Sequence, residues 1–191
     1  MTTTVTGSLA TTFKAQATVL GGMLAAMWLV FFASALSGGA LIGLGVIPRT
    51  LIGLRGILFA PFIHGSMQHL LANSIPFLIP GWLVMLRDSR HFTSVTIAAM
   101  IGSGMVAWFF GAPGSVHIGA SGVIFGYLGF LIVSGWYVRS LASVALSVFV
   151  TVVWGSLIMG VMPGAPGISW QAHLGGFIAG VLTARQFRRR S

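Results

Sequence analysis

Gly119-Ala120-Ser121-Gly122 opens an apolar run that continues to about residue 137, and Ala172-His173-Leu174-Gly175-Gly176-Phe177-Ile178-Ala179-Gly180 lies inside the last apolar run of the chain. These two stretches decide how the rest of the sequence reads. Each belongs to a segment of the length a helix needs to cross a bilayer, about 20 apolar residues. Each places one polar side chain near the start of that segment. At membrane depth a polar group needs a partner or a role. One of these groups is a nucleophile and the other a base, so their meeting would point to peptide-bond hydrolysis within the bilayer.

Composition supports the membrane reading. Of 191 residues, 56% are hydrophobic and only 6% charged, whereas a soluble domain carries about a quarter charged residues. Six apolar runs fit, at approximately 17–36, 67–86, 93–111, 120–137, 141–160 and 169–187. The expected fold is therefore all-α, a polytopic six-helix bundle forming one membrane domain over 1–191. A short polar N-terminus (1–16) precedes the first run and a basic tail (185–191) ends the chain. The first run reads as an anchor rather than a removed signal peptide, because no convincing small-residue cleavage site follows it.

The net charge of +9 does not indicate nucleic-acid binding. The basic residues form no patch interleaved with aromatics; they lie between the apolar runs and at the C-terminus. With six spans, Lys14, Arg87, Arg90, Arg139, Arg185, Arg188, Arg189 and Arg190 fall on one side of the membrane. The positive-inside rule makes that side, and both termini, cytoplasmic. Arg49 and Arg55 fall on the other side. The segment 37–66 is too long for a tight turn and too apolar to float in water. Its apolar residues, broken by Gly, Pro and two Arg, predict short helices lying at the outer membrane surface. The loops 111–118 and 160–168, marked by Pro113, Pro163 and Pro166, read as irregular and lead into the spans carrying Ser121 and His173.

Several chemistries are excluded. The chain has no cysteine, which removes disulfides, thiolate metal sites and a cysteine nucleophile. Its one acidic residue, Asp88, rules out paired-carboxylate chemistry within the chain. Asp88 sits in Arg87-Asp88-Ser89-Arg90, on the cytoplasmic side, away from the serine and histidine. Any hydrolase here must therefore use a dyad, with no cofactor. A zinc site from His64, His69 and His173 lacks a carboxylate or thiolate neighbour and is disfavoured.

At the start of its helix, Ser121 faces the positive end of the helix dipole, near free backbone N–H groups. The plain alternative is a helix N-cap. His173, Gly176 and Gly180 share one helical face, and small residues there permit close helix contact. That contact would press His173 against the small face formed by Gly122 and Gly126. His69 and Asn73 share a face of the second span and can donate to a developing oxyanion; the alternative is interhelical hydrogen bonding. Phe125, one turn after Ser121, can stack on the His173 ring, with core packing as the default. His117 and His91 read as ordinary loop residues.

Together, His64, His69 and Asn73 in the second span, Gly119, Ser121 and Gly122 at the fourth, and His173, Gly176 and Gly180 in the sixth resemble the rhomboid intramembrane serine proteases. The resemblance covers essentially the whole chain, as a minimal six-helix form of the bacterial type. It implies a serine endopeptidase of the bacterial plasma membrane that cuts transmembrane segments of other membrane proteins. In that scheme Ser121 is the nucleophile, His173 the base, and His69, Asn73 and the Ser121 N–H hold the oxyanion. It also implies that the fifth span and the loop 160–168 gate the site. Two positions depart from the family's habit: Leu54-Arg55 stands where a Trp-Arg pair is common, and Phe125 where tyrosine is common. Two other classes are a catalytically silent rhomboid-like binder, which usually lacks the serine or the histidine, and a small transporter. The transporter would align polar groups through the full membrane thickness, whereas here they gather near the outer ends of the second, fourth and sixth spans.

Overall fold

The computed structural model describes residues 3–87, 89–164 and 167–187. Asp88, Pro166, Arg188, Arg189 and Arg190, which the sequence places in polar turns and the basic tail, lie outside the described residues. The described residues form six long helices: α1 (Thr3–Leu36), α3 (Met67–Arg87), α4 (Ser89–Phe110), α5 (Ser121–Val138), α6 (Leu141–Trp154) and α7 (Trp170–Phe187). A short helix, α2 (Gly56–Phe59), lies between α1 and α3. No strand occurs among the described residues beyond one isolated antiparallel bridge, Val46 to His117.

Among the described residues, five helical segments are long and apolar enough to cross a membrane: Thr11–Leu36, Met67–Arg87, Arg90–Phe110, Ser121–Val138 and Leu141–Val161. The sixth, α7, carries Gln171, His173, Arg185 and Gln186 among its 18 residues. Its composition is less apolar because its glycine face turns toward other helices rather than lipid. At 1.5 Å per residue α7 is about 27 Å long, close to the thickness of a bilayer core.

The bundle is built around α5, whose residues 122–131 are all buried. A helix apolar all round belongs inside. α5 packs against α3, α4, α6 and α7, and α7 packs against both α4 and α5. The expected small face explains how these axes approach. A methyl group at Gly176 would collide with the Gly122 carbonyl, one at Gly180 with the Gly126 carbonyl, and one at Gly175 with the Gly102 carbonyl. Glycines therefore seat α7 directly against the backbones of α5 and α4.

Two local differences from the sequence reading have physical causes. α1 starts at Thr3 rather than near 17; no proline precedes Pro48 to stop the helix earlier. The fifth span keeps α-helical form only to Trp154 and finishes as 3-10 turns over Gly155–Val161, a segment with glycine at 155 and 160. The segment 37–66 does form short helices, at Ala40–Leu44, Ile52–Arg55, Gly56–Phe59 and Ala60–Phe62. Arg55 Nη2 donates to Gly43 O at 3.0 Å and Trp108 Nε1 to Thr50 O at 2.8 Å, fixing this segment to itself and to α4.

Candidate active site

Ser121 is the first residue of α5, and Ala120 occupies the N-cap position without a side-chain capping bond. Ser121 is thus not a capping serine. Its Oγ instead lies 2.8 Å from His173 Nε2. The two residues are 52 positions apart, and the glycine seam between α5 and α7 makes their approach possible.

His173 is held on three sides. Its backbone N–H donates to Ser169 O at 3.1 Å, in the first turn of α7. Its Nδ1 lies 2.9 Å from Gly160 O, in the 3-10 tail of α6. A carbonyl can only accept, so Nδ1 carries the proton and Nε2 presents its lone pair to Ser121. Phe125 stacks on the ring, with centroids 4.1 Å apart and planes 10° from parallel. The aromatic one turn beyond Ser121 is buried and stacks on the His173 imidazole.

The segment before Ser121 is fixed by backbone bonds. Gly119 N–H donates to Ala60 O at 2.8 Å, and Ala120 N–H to His64 Nε2 at 3.4 Å. Gly119 has φ +109°, a region in which side chains are strained, and a Cβ there would lie 2.6 Å from His69 Nε2. Only glycine lets His69 approach the chain this closely. The N–H of Ser121 itself, first in the helix, has no intrahelical acceptor.

A cleft of about 600 Å³ joins these groups. His69, Asn73 and Pro76 of α3 line one wall, Ser121 and Phe125 the floor, and Leu157, Ile168, Ser169 and His173 the other side. Asn73 is buried and donates one amide hydrogen to His69 O at 2.9 Å, which leaves its second for the cleft. The structure thus brings Ser121, His173, His69 and Asn73 to one cavity. His64 stands behind it, buried and edge-on to His69 at 4.9 Å. Burial, and next the neighbouring His69, push the His64 imidazole down to about 4.

One residue that the sequence reading set aside belongs to this region. His117 is not an ordinary loop residue: its ring lies between Ser115 Oγ, 3.0 Å from Nε2, and Ser169 Oγ, 2.6 Å from Nδ1. No spacing rule could have found this, because both residues lie in irregular segments with no helical register. Burial lowers the His117 pKa below its ordinary value.

Comparison with known proteins agrees with the fold. The sequence matches the Rhomboid domain family over residues 48–190, which includes every residue lining the cleft. An uncharacterized protein of Mycobacterium tuberculosis (strain H37Rv) is 39% identical over 186 residues, covering 91% of this chain and 78% of that protein. An uncharacterized protein of Mycobacterium leprae is 42% identical over 139 residues, covering 69% of this chain and 55% of that protein. RHOMBOID-like protein 4 of Arabidopsis thaliana is 32% identical over 135 residues, covering 66% of this chain and 32% of the plant protein. With a family match over most of its length and an all-helical bundle carrying the three motifs, the chain belongs to the rhomboid family.

Proposed function

We propose that this chain is an intramembrane serine endopeptidase, hydrolysing peptide bonds in or near transmembrane segments of other membrane proteins by a Ser121–His173 dyad. The observation that carries the reading is the 2.8 Å approach of His173 Nε2 to Ser121 Oγ, with Nδ1 engaged by Gly160 O. This is the geometry of a nucleophile, its base and an orienting acceptor. Here a backbone carbonyl occupies the place a carboxylate has in a triad.

In the first step Ser121 Oγ attacks the scissile carbonyl carbon and its proton passes to His173 Nε2. The carbonyl oxygen becomes an oxyanion, held by the Ser121 N–H, the Asn73 amide and His69. Collapse breaks the C–N bond, and His173 returns its proton to the leaving amine. Water then attacks the acyl-enzyme with His173 again as base, releasing the new carboxyl terminus and restoring Ser121. The substrates are transmembrane proteins presented through the lipid. The cationic residues between spans support a bacterial plasma membrane location with both termini in the cytoplasm, and the mycobacterial relatives suit it.

The test is cleavage of a panel of transmembrane substrates in proteoliposomes by the wild type, Ser121→Ala and His173→Ala, with fluorophosphonate labelling of the same preparations. Cleavage and labelling lost in both variants support the dyad. Variants that cut as well as the wild type overturn it. A protein that binds the substrates but neither cuts nor labels would be a silent rhomboid-like binder.

A further inference from the structure

The backbone of His117 is paired antiparallel with Val46 of the outer segment: Val46 N–H donates to His117 O at 3.0 Å and His117 N–H to Val46 O at 2.9 Å. His117 is therefore fixed to the scaffold before its side chain does anything. Its ring then reaches across the cleft wall to Ser169, the residue immediately before α7.

The hydrogen-bond directions around this ring can be worked out. Ser115 Oγ has one proton, and it donates to Ala112 O at 2.7 Å. Toward His117 Nε2, at 3.0 Å, Ser115 must then accept, which places the ring proton on Nε2. Nδ1 of the neutral ring is left as an acceptor, so Ser169 Oγ donates to it at 2.6 Å. The lone pairs of Ser169 Oγ face the helix, where the Ala172 N–H donates to it at 3.4 Å. The result is one directed chain: Ala172 N–H to Ser169, Ser169 to His117, His117 to Ser115, and Ser115 to Ala112 O. It caps α7 and ties the cap to the scaffold.

The place of this chain in the fold gives it consequence. α7 is locked by Gly175, Gly176 and Gly180 against α4 and α5, but His173 precedes all three. It lies in the helix's first turn, where helices fray. Immediately before Ser169, Gly167 and Ile168 are exposed. The first turn of α7 is held from the side by the His117–Ser169 contact, by Gln171 Nε2, which donates to Phe110 O at 3.3 Å, and by the Gly160 and Phe125 contacts of His173; the His117–Ser169 contact is the one that bears on the residue capping the helix.

We propose that His117, acting through Ser169, is a positioning residue that keeps the first turn of α7, and with it His173 Nε2, in line with Ser121 Oγ. The inference rests on the Ser121–His173 reading above. It makes His117 neither a nucleophile nor a base. Its loss should lower the rate of chemistry while leaving substrate docking intact, because near-attack geometry is sensitive to displacements of under an ångström.

The experiment uses the full chain in proteoliposomes with a transmembrane substrate, and measures kcat and KM separately alongside the rate of Ser121 labelling by a fluorophosphonate. The variants are His117→Ala, Ser169→Ala, the double variant and Ser169→Thr, with Ser121→Ala as the blank and thermal unfolding in detergent as the folding control. The expected result is a fall in kcat and labelling rate of roughly 10-fold or more in each alanine variant, with KM nearly unchanged. The double variant should be no worse than the poorer single, since both remove one contact. Ser169→Thr, which keeps the hydroxyl, should recover most of the rate at an unchanged melting temperature. The positioning role is overturned if the alanine variants match the wild type, if their losses multiply, or if only KM rises. It is also overturned if threonine fails to rescue a folded protein. If wild type and Ser121→Ala behave alike, the dyad reading falls and this inference with it; if Ser121→Ala is inactive while the His117 and Ser169 variants match the wild type, the dyad stands and this inference alone falls.

Discussion

His173 Nδ1 and the Gly160 carbonyl oxygen lie 2.9 Å apart, and they belong to different helical elements, α7 and the 3-10 tail of α6. The tautomer of His173 is therefore set by the end of the neighbouring span. A Cβ at Gly160 would lie 3.0 Å from His173 Nδ1 and 3.1 Å from Phe125 Cζ, closer than such contacts normally settle. Gly160→Ala should push the ring by a few tenths of an ångström and lower kcat roughly 10-fold, with KM and melting temperature little changed. Initial rates in proteoliposomes check this; an unchanged kcat would mean that the ring is not held where the structure has it.

The stack of Phe125 on His173 makes a second prediction. Phe125→Leu keeps most of the apolar volume and should cost under about 1.5 kcal/mol of stability. It removes the flat face against which the imidazole lies, worth about 0.5–1.5 kcal/mol beyond area burial. The expected outcome is a kcat several-fold lower in a protein that still unfolds at nearly the wild-type temperature. A rate equal to wild type would show that the carbonyl of Gly160 orients the ring alone.

Much of this arrangement was legible in the sequence because membrane helices are written by length and polarity. The placement of Ser121 and His173 in two spans, and the small faces that let the spans touch, followed from 3.6-residue periodicity applied to glycine rather than to apolar residues. The stack of Phe125 on His173 is one reading of its one-turn offset from Ser121, with core packing the default. What remained hidden depended on contacts with no sequence register. The pairing of Val46 with His117, the reach of His117 to Ser169 and the acceptance of the His173 proton by a backbone carbonyl all join irregular segments. Backbone acceptors carry no residue signature, so no motif could mark Gly160. The 3-10 finish of the fifth span is a similar case, since a hydropathy run does not distinguish helix types.

Two histidines outside the spans should set the acid limit of stability. His64 and His117 are both pushed below the ordinary histidine range by burial, His64 to about 4. The unfolded chain takes up protons on these rings below about pH 6.5 while the folded chain does not. By linkage, the folded form is most favoured above about pH 6.5 and loses stability as pH falls from there toward 4, where folded His64 begins to protonate. The full loss from His64 is on the order of 3 kcal/mol. Melting temperature in detergent across pH 7.5 to 4 checks the sign. His64→Gln should flatten the curve, and a melting temperature that rises on acidification would contradict the buried neutral state.

The glycine seam between α7 and α5 leaves no room for a side chain. At Gly176 and Gly180 an added methyl meets the carbonyl oxygens of Gly122 and Gly126, which are backbone and cannot swing aside. Either substitution to alanine must push α7 away from α5, and overpacking of this kind costs about 1–3 kcal/mol. Because His173 rides on α7 one turn before Gly176, the same displacement should also lengthen its approach to Ser121. Gly21 and Gly22 of α1 provide the contrast: a Cβ at either meets nothing within 4 Å. Alanine there should be neutral or stabilising by about 0.5–1 kcal/mol, the helix penalty that glycine carries. Gly176→Ala should thus lower both melting temperature and cleavage rate, while Gly22→Ala lowers neither. If the two substitutions behave alike, the close approach of α7 to α5 is not what holds the dyad together.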